Sequence, residues 1–176
     1  MKLRARSILA GSATFSTLLA ASALFALGLS KARDLAGFAE TIAAHGLIPA
    51  PWSLLISRAV VAAELTAGLS ALILVGLSPA GRWRAPALLA LVLAAVTVYA
   101  GILTRHPPPA PAPCGCGFSR GDLIDDWSGV LARNAALTAG AITLAGLLRL
   151  DARAGVARSI SKPTSPEPAP CSHPSA

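Results

Sequence analysis

Charge is scarce in this chain. Only 13% of its 176 residues are charged, against about 25% in an ordinary soluble domain, so lipid rather than an aqueous core accounts for the deficit. Aromatic residues are few as well, at 5%. The formal charge of +7 therefore lacks the interleaved aromatics and single basic patch of a nucleic-acid footprint, and no nucleic-acid partner is expected. Cysteine is limited to three residues. Two of them stand one residue apart, in Cys114-Gly115-Cys116, with only His106 near them. That falls short of the four donors of tetrahedral zinc, and no resident metal is expected. No internal repeat is visible, and the length suits one domain.

What the chain does have is long apolar runs. Crossing a hydrocarbon core of about 30 Å takes about 20 residues of helix. Four stretches suffice, at about 7–30, 52–77, 85–104 and 127–148. Ser7–Ser30 and Ala85–Thr104 carry no charge at all. The basic N-terminus resembles a secretory signal, but a signal's apolar region runs about 7–15 residues, and this one continues to Ser30. An uncleaved first span is expected. The fold class is an all-α integral membrane protein whose four transmembrane helices form an antiparallel bundle. Residues 1–150 make up the transmembrane domain. Residues 151–176, rich in Pro and Ser, read as a disordered cytoplasmic tail. Between the first two spans, Leu35, Phe38, Ala39 and Ile42 recur at helical spacing and predict a short amphipathic helix at the outer surface, ended by Gly46 and Pro49. His45 reads most simply as a polar group at that helix end.

Orientation follows from the basic residues that flank the spans. Lys2, Arg4, Arg6, Arg82, Arg84, Arg149, Arg153, Arg158 and Lys162 fall on one side, and Lys31, Arg33, Arg105 and Arg120 on the other. Both termini are then cytoplasmic, and the Cys-Gly-Cys loop faces outward from a bacterial inner membrane, where disulfides persist. Gly115 has no Cβ and tolerates the dihedrals that a ring closed between Cys114 and Cys116 demands. A strained, exposed disulfide exchanges readily, and Arg120 favours a thiolate. The prolines of 107–113 predict an extended strut that carries the pair away from lipid. The acidic residues Asp122, Asp125 and Asp126 suit the N-terminus of the last helix.

Three charged groups stand within the spans, with the amide of Asn134 beside one of them. Glu64 lies near the midplane, where an acidic group costs on the order of 3 kcal/mol and faces the bundle interior. It could make an interhelical hydrogen bond, relay a proton or touch a ligand. Arg58 and Arg133 each follow a tryptophan by six residues, Trp52 and Trp127, and so lie at similar depth. Either they snorkel to the headgroups, or they form a basic pocket for a thiolate, a quinone oxygen or a carboxylate. The amide of Asn134 could bridge two helices.

In this order, "GLSK" closing the first span, "LIP" before the second, "AAELTAGL" around Glu64, then "CGCG" and "LARNAAL" resemble the MauE family of methylamine-utilisation membrane proteins, within the DoxX-like group. The likeness covers about residues 8–150. It implies that Lys31, Glu64, Cys114, Cys116, Arg133 and Asn134 matter. It further implies a role in maturing, or passing redox equivalents to, the disulfide-rich small subunit of methylamine dehydrogenase. The family pattern Cys-Gly-Cys-Phe-Gly is altered here, since Gly117 precedes Phe118. The expected activity is thiol-disulfide oxidoreduction or quinone-linked redox chemistry by Cys114 and Cys116. Arg120, Lys31, Arg58, Glu64, Arg133 and Asn134 would support it. The expected partners are the lipid bilayer, an exported thiol or disulfide client and a thioredoxin-like protein, with a membrane quinone as the candidate cofactor. A soft-metal transporter or metallochaperone, and a structural membrane subunit, remain as alternatives.

Overall fold

A computed structural model describes residues 2–77, 82–113, 123–124 and 126–160. In chain order they form α1 (Lys2–Arg33), α2 (Leu35–Ala44), α3 (Ala50–Leu77), α4 (Arg84–Arg105), β1 (Ala112–Pro113), β2 (Leu123–Ile124) and α5 (Ser128–Ile160). Four of these helices are long and apolar enough to cross a membrane, over Ile8–Arg33, Ala50–Gly76, Arg84–Arg105 and Ser128–Ala154. Each covers an expected span. α5 runs on to Ile160, so the segment read as the start of an unstructured tail is helical at first, and 161–176 lie outside the described residues.

Local chemistry sets the helix ends. The Asp34 carboxylate accepts a hydrogen bond from the Gly37 amide at 3.1 Å and caps α2. A side chain on Gly37 would meet that carboxylate at 2.6 Å. Gly46, at φ 72°, follows the C-cap residue His45 in the left-handed conformation that commonly ends a helix. Pro51 and Pro86 lie in the first turns of α3 and α4, where a missing N–H leaves no ladder bond unmade. Pro107 follows His106, the C-cap of α4, and bars its continuation.

The four long helices pack in the cyclic order α1–α3–α4–α5, with α1 closing against α5; α3 and α5 do not touch. Small residues make the α1–α3 seam. Thr17, Ala21 and Gly28 are buried on α1, as are Ala67, Gly68 and Ala71 on α3. Such residues let helix backbones approach where lipid offers no hydrophobic drive for association. The register is antiparallel: Gly28 lies against Glu64 and Leu65, and Gly68 against Phe25. α4 and α5 join through Ala100, Leu103, Trp127 and Val130, with a Thr97–Thr138 hydroxyl contact of 2.9 Å further along. Large apolar side chains such as Phe15, Leu19, Leu91, Val98, Leu137 and Ile142 point outward, which suits a lipid surround.

The register also shows how far α1 reaches. Its last turn lies level with Glu64, midway along α3, so α1 stops halfway and α2 packs against α3 beyond it. Ala39 and Ile42, on the expected apolar face of α2, are buried. That face meets protein rather than an open surface.

A Cβ at Gly68 would stand 2.9 Å from the Phe25 backbone nitrogen, whereas one at Gly76 would meet nothing within 4 Å. Gly68→Ala should therefore lower stability by about 1–3 kcal/mol through overpacking. Gly76→Ala should be neutral or gain up to ~1 kcal/mol of helix propensity. Thermal unfolding in detergent, followed by circular dichroism, measures both; equal effects would contradict the close α1–α3 seam.

Candidate functional site

Antiparallel pairing of Ala112 with Ile124 and of Pro113 with Leu123 closes a two-stranded hairpin. Cys114, Cys116 and Arg120 belong to the segment that joins these strands and lie outside the described residues. The foot of the hairpin is tied to the bundle by His45, which is only 3% exposed. Its Nε2 lies 2.9 Å from the Pro113 carbonyl oxygen, and its Nδ1 lies 2.8 Å from the Tyr99 hydroxyl. A carbonyl only accepts, so Nε2 carries the proton; in the neutral ring Nδ1 then accepts from Tyr99. The imidazole meets Trp127 edge-on, with centroids 5.0 Å apart. Burial lowers the His45 pKa below 6.5, against a smaller opposing effect of the Pro113 hydrogen bond.

The proline segment is thus not a free-standing strut. Pro109 lies near Gly46, Ala112 is buried, and Pro113 is held by His45. A buried imidazole needs partners for both nitrogens, and the returning chain supplies one. Beyond the hairpin, Asp126 accepts hydrogen bonds from the Ser128 amide at 2.9 Å and the Ser128 hydroxyl at 2.7 Å. These bonds lower its pKa and cap α5. Asp122 and Asp125 lie outside the described residues.

The second polar locus is internal. Lys31, in the last turn of α1, forms an ion pair with Glu64 at the middle of α3. Glu64 is 4% exposed, and its other oxygen, Oε2, has no hydrogen-bond partner among the described residues. The ammonium also stands 5.0 Å from the centroid of the Phe38 ring of α2. One lysine therefore joins α1, α2 and α3. Gly28 makes room, since its Cα–H face lies against the Glu64 stem.

The family model for methylamine utilisation protein MauE matches residues 8–148. The chain belongs to the MauE family. Neither the curated proteins nor the solved structures give a match. With four apolar helices of spanning length, this MauE-family chain is a membrane protein of the methylamine-utilisation group.

Not every expected site residue joins these two loci. Arg58 and Arg133 are exposed, on helices that do not touch, so one chain does not gather them into a shared pocket. Their placement matches snorkelling. Asn134 is buried, but its Nδ2 donates to nothing among the described residues, and the same holds for Nε1 of the buried Trp127. The two are seven residues apart and lie on one face of the α5 approach. Among the described residues, no group of three or more His, Cys, Asp or Glu could hold a metal ion. Sequence reasoning missed Tyr99 and read His45 chiefly as a polar group at a helix end, with a ligand role as the lesser alternative. The one available signal was a histidine and a tyrosine, each beside apolar neighbours that could not satisfy it.

Two outcomes test this geometry. Lys31→Met, which leaves a buried carboxylate without its cation, should cost about 3–5 kcal/mol, and a Lys31→Met, Glu64→Met double variant should recover most of it. Detergent unfolding of the three proteins measures the coupling; additive losses would deny the pair. For His45, a neutral ring with a lowered pKa means that the undocked hairpin binds a proton that the docked one does not. Docking is then fully stable above about pH 6.5 and weakens as pH falls toward the lowered value. With Trp127 as the sole tryptophan (Trp52→Phe, Trp83→Phe), its emission should change between pH 7.5 and 5. His45→Gln should abolish that change.

Proposed function

We propose that this MauE-family protein assists thiol-disulfide maturation of an exported protein through Cys114 and Cys116, presented outside a bacterial inner membrane with both termini in the cytoplasm. The supporting observation is the anchored hairpin: the Cys-Gly-Cys follows directly on a strand held by His45 at one end of the bundle. In the reducing direction, one cysteine thiolate attacks a client disulfide. A mixed disulfide forms and a client thiolate leaves. The second cysteine then displaces the other client sulfur, so two electrons pass to the client and the pair closes as a disulfide. Oxidation of a client dithiol is the same sequence reversed. Arg120 supports thiolate character.

The proposed client, by the resemblance to methylamine-utilisation proteins, is the small subunit of methylamine dehydrogenase. A thioredoxin-like protein is the soluble candidate for restoring the pair. A membrane quinone would find two buried donors that have no partner among the described residues, Trp127 Nε1 and Asn134 Nδ2, rather than the exposed Arg58 and Arg133. Lys31 and Glu64 act through the shape of the bundle.

Labelling intact cells with a membrane-impermeant maleimide tests the reading. Cys114 and Cys116 should label only after reduction, and a Cys116→Ser or Cys114→Ser variant should trap a mixed disulfide visible by mass spectrometry. Labelling without reduction, joined to stoichiometric copper(I) binding that the double serine variant loses, would replace this reading with a soft-metal role. Failure to label after reduction would overturn the orientation.

A further inference from the structure

The end of the bundle away from the hairpin carries positive charge that no described carboxylate answers. Arg82 and Trp83 lead into α4, Arg84 begins it, and Arg149 and Arg153 lie one turn apart on one face of α5. The Trp83 ring gathers two of them. The Arg84 guanidinium carbon stands 5.8 Å from its centroid and that of Arg149 stands 5.2 Å away, so a single indole holds like charges from two helices close together. Among the described residues, the one salt bridge joins Lys31 to Glu64, and none of these arginines pairs with Asp151. Residues 78–81, which lie outside the described residues, contain no acidic side chain.

Three further features favour an anion at this place, and a lipid as its bearer. Arg82 Nε is buried with no hydrogen-bond partner among the described residues, and a buried N–H calls for an acceptor. Trp83, at the N-cap of α4, makes no side-chain cap bond, so the positive end of that helix lacks the acceptor that a Ser or Asp would bring. Beside Arg149, Leu147 and Leu150 are 47% and 64% exposed, which puts apolar surface for acyl chains next to the charge. Tryptophan is itself a residue of the headgroup level.

We propose that Arg82, Arg84 and Arg149 form a headgroup site for an anionic phospholipid, whose phosphate bridges α4 and α5. Guanidinium groups donate paired hydrogen bonds to phosphate oxygens, and a net negative lipid matches the unanswered charge where a zwitterionic one brings its own ammonium. The proposal needs only that the four helices lie in a membrane; it does not involve the cysteines. In the orientation proposed above, the site faces the cytoplasmic leaflet, whose anionic lipids attract juxtamembrane arginines.

The full chain in a mild detergent, titrated with phosphatidylglycerol or phosphatidylcholine, provides the test. Native mass spectrometry counts bound lipid, and circular dichroism checks folding. Phosphatidylglycerol should be retained in preference to phosphatidylcholine. Arg82→Gln, Arg84→Gln and Arg149→Gln should each weaken its binding about fivefold, the worth of one arginine at a lipid surface. Arg82→Gln, ahead of the helix, decides the matter should the other two fail to fold. Arg105→Gln, at the opposite end of α4, should leave binding unchanged, and inorganic phosphate at the same concentration should not displace the lipid. Equal retention of the two lipids would overturn the site. So would folded variants that bind as wild type does, or an Arg105→Gln loss as large as theirs, which would mean attraction to net charge alone. Displacement by inorganic phosphate would replace the lipid with a soluble phosphate anion as the occupant.

Discussion

Inside a bundle with no water, a polar side chain must find its partner on another segment of the chain. Two such partnerships organise this protein, and they lie at either end of the short helix α2. At its start, Lys31 meets Glu64 of α3 and the ring of Phe38. At its end, His45 meets Tyr99 of α4 and the carbonyl of Pro113. Ten residues of helix and their cap are thereby bound to α1, α3, α4 and β1. Because α1 stops level with Glu64, α2 completes the cover of α3, and the Asp34 cap is the hinge between the two.

Small residues make the first of these partnerships possible. Gly28 and Gly68 let α1 and α3 approach until the lysine reaches the carboxylate. Larger residues would push the helices apart and strand both charges, which is costly in an apolar medium. The opposite end of the bundle is held differently. There Arg84 and Arg149 stack on Trp83, 5.8 Å and 5.2 Å from its ring, joining α4 to α5 through cation–π contacts rather than buried ion pairs. The asymmetry leaves one end of the molecule rich in specific hydrogen bonds, and that is the end which carries the hairpin.

In this chain the strand that ends at Pro113 is tied to the bundle by His45. The lead-in to the Cys-Gly-Cys segment is thus held by a residue that in turn meets Tyr99 and Trp127. Two buried donors, on Trp127 and Asn134, have no hydrogen-bond partner among the described residues.

Spans and their order were readable from composition, because a hydrocarbon core demands a length of apolar helix and little else. The apolar face of α2 was readable for the same reason, through Leu35, Phe38, Ala39 and Ile42. Matched depth misled for Arg58 and Arg133: spacing along a helix says how deep a residue sits but not which way round the axis it faces, and α3 and α5 proved to be diagonal. Lys31 and Glu64 were each conspicuous, yet their meeting depends on where α1 ends against α3. The anchoring of Pro113 by His45 joins residues 68 positions apart. One-dimensional pattern records the demand for a partner, and only the packing of helices chooses which partner answers it.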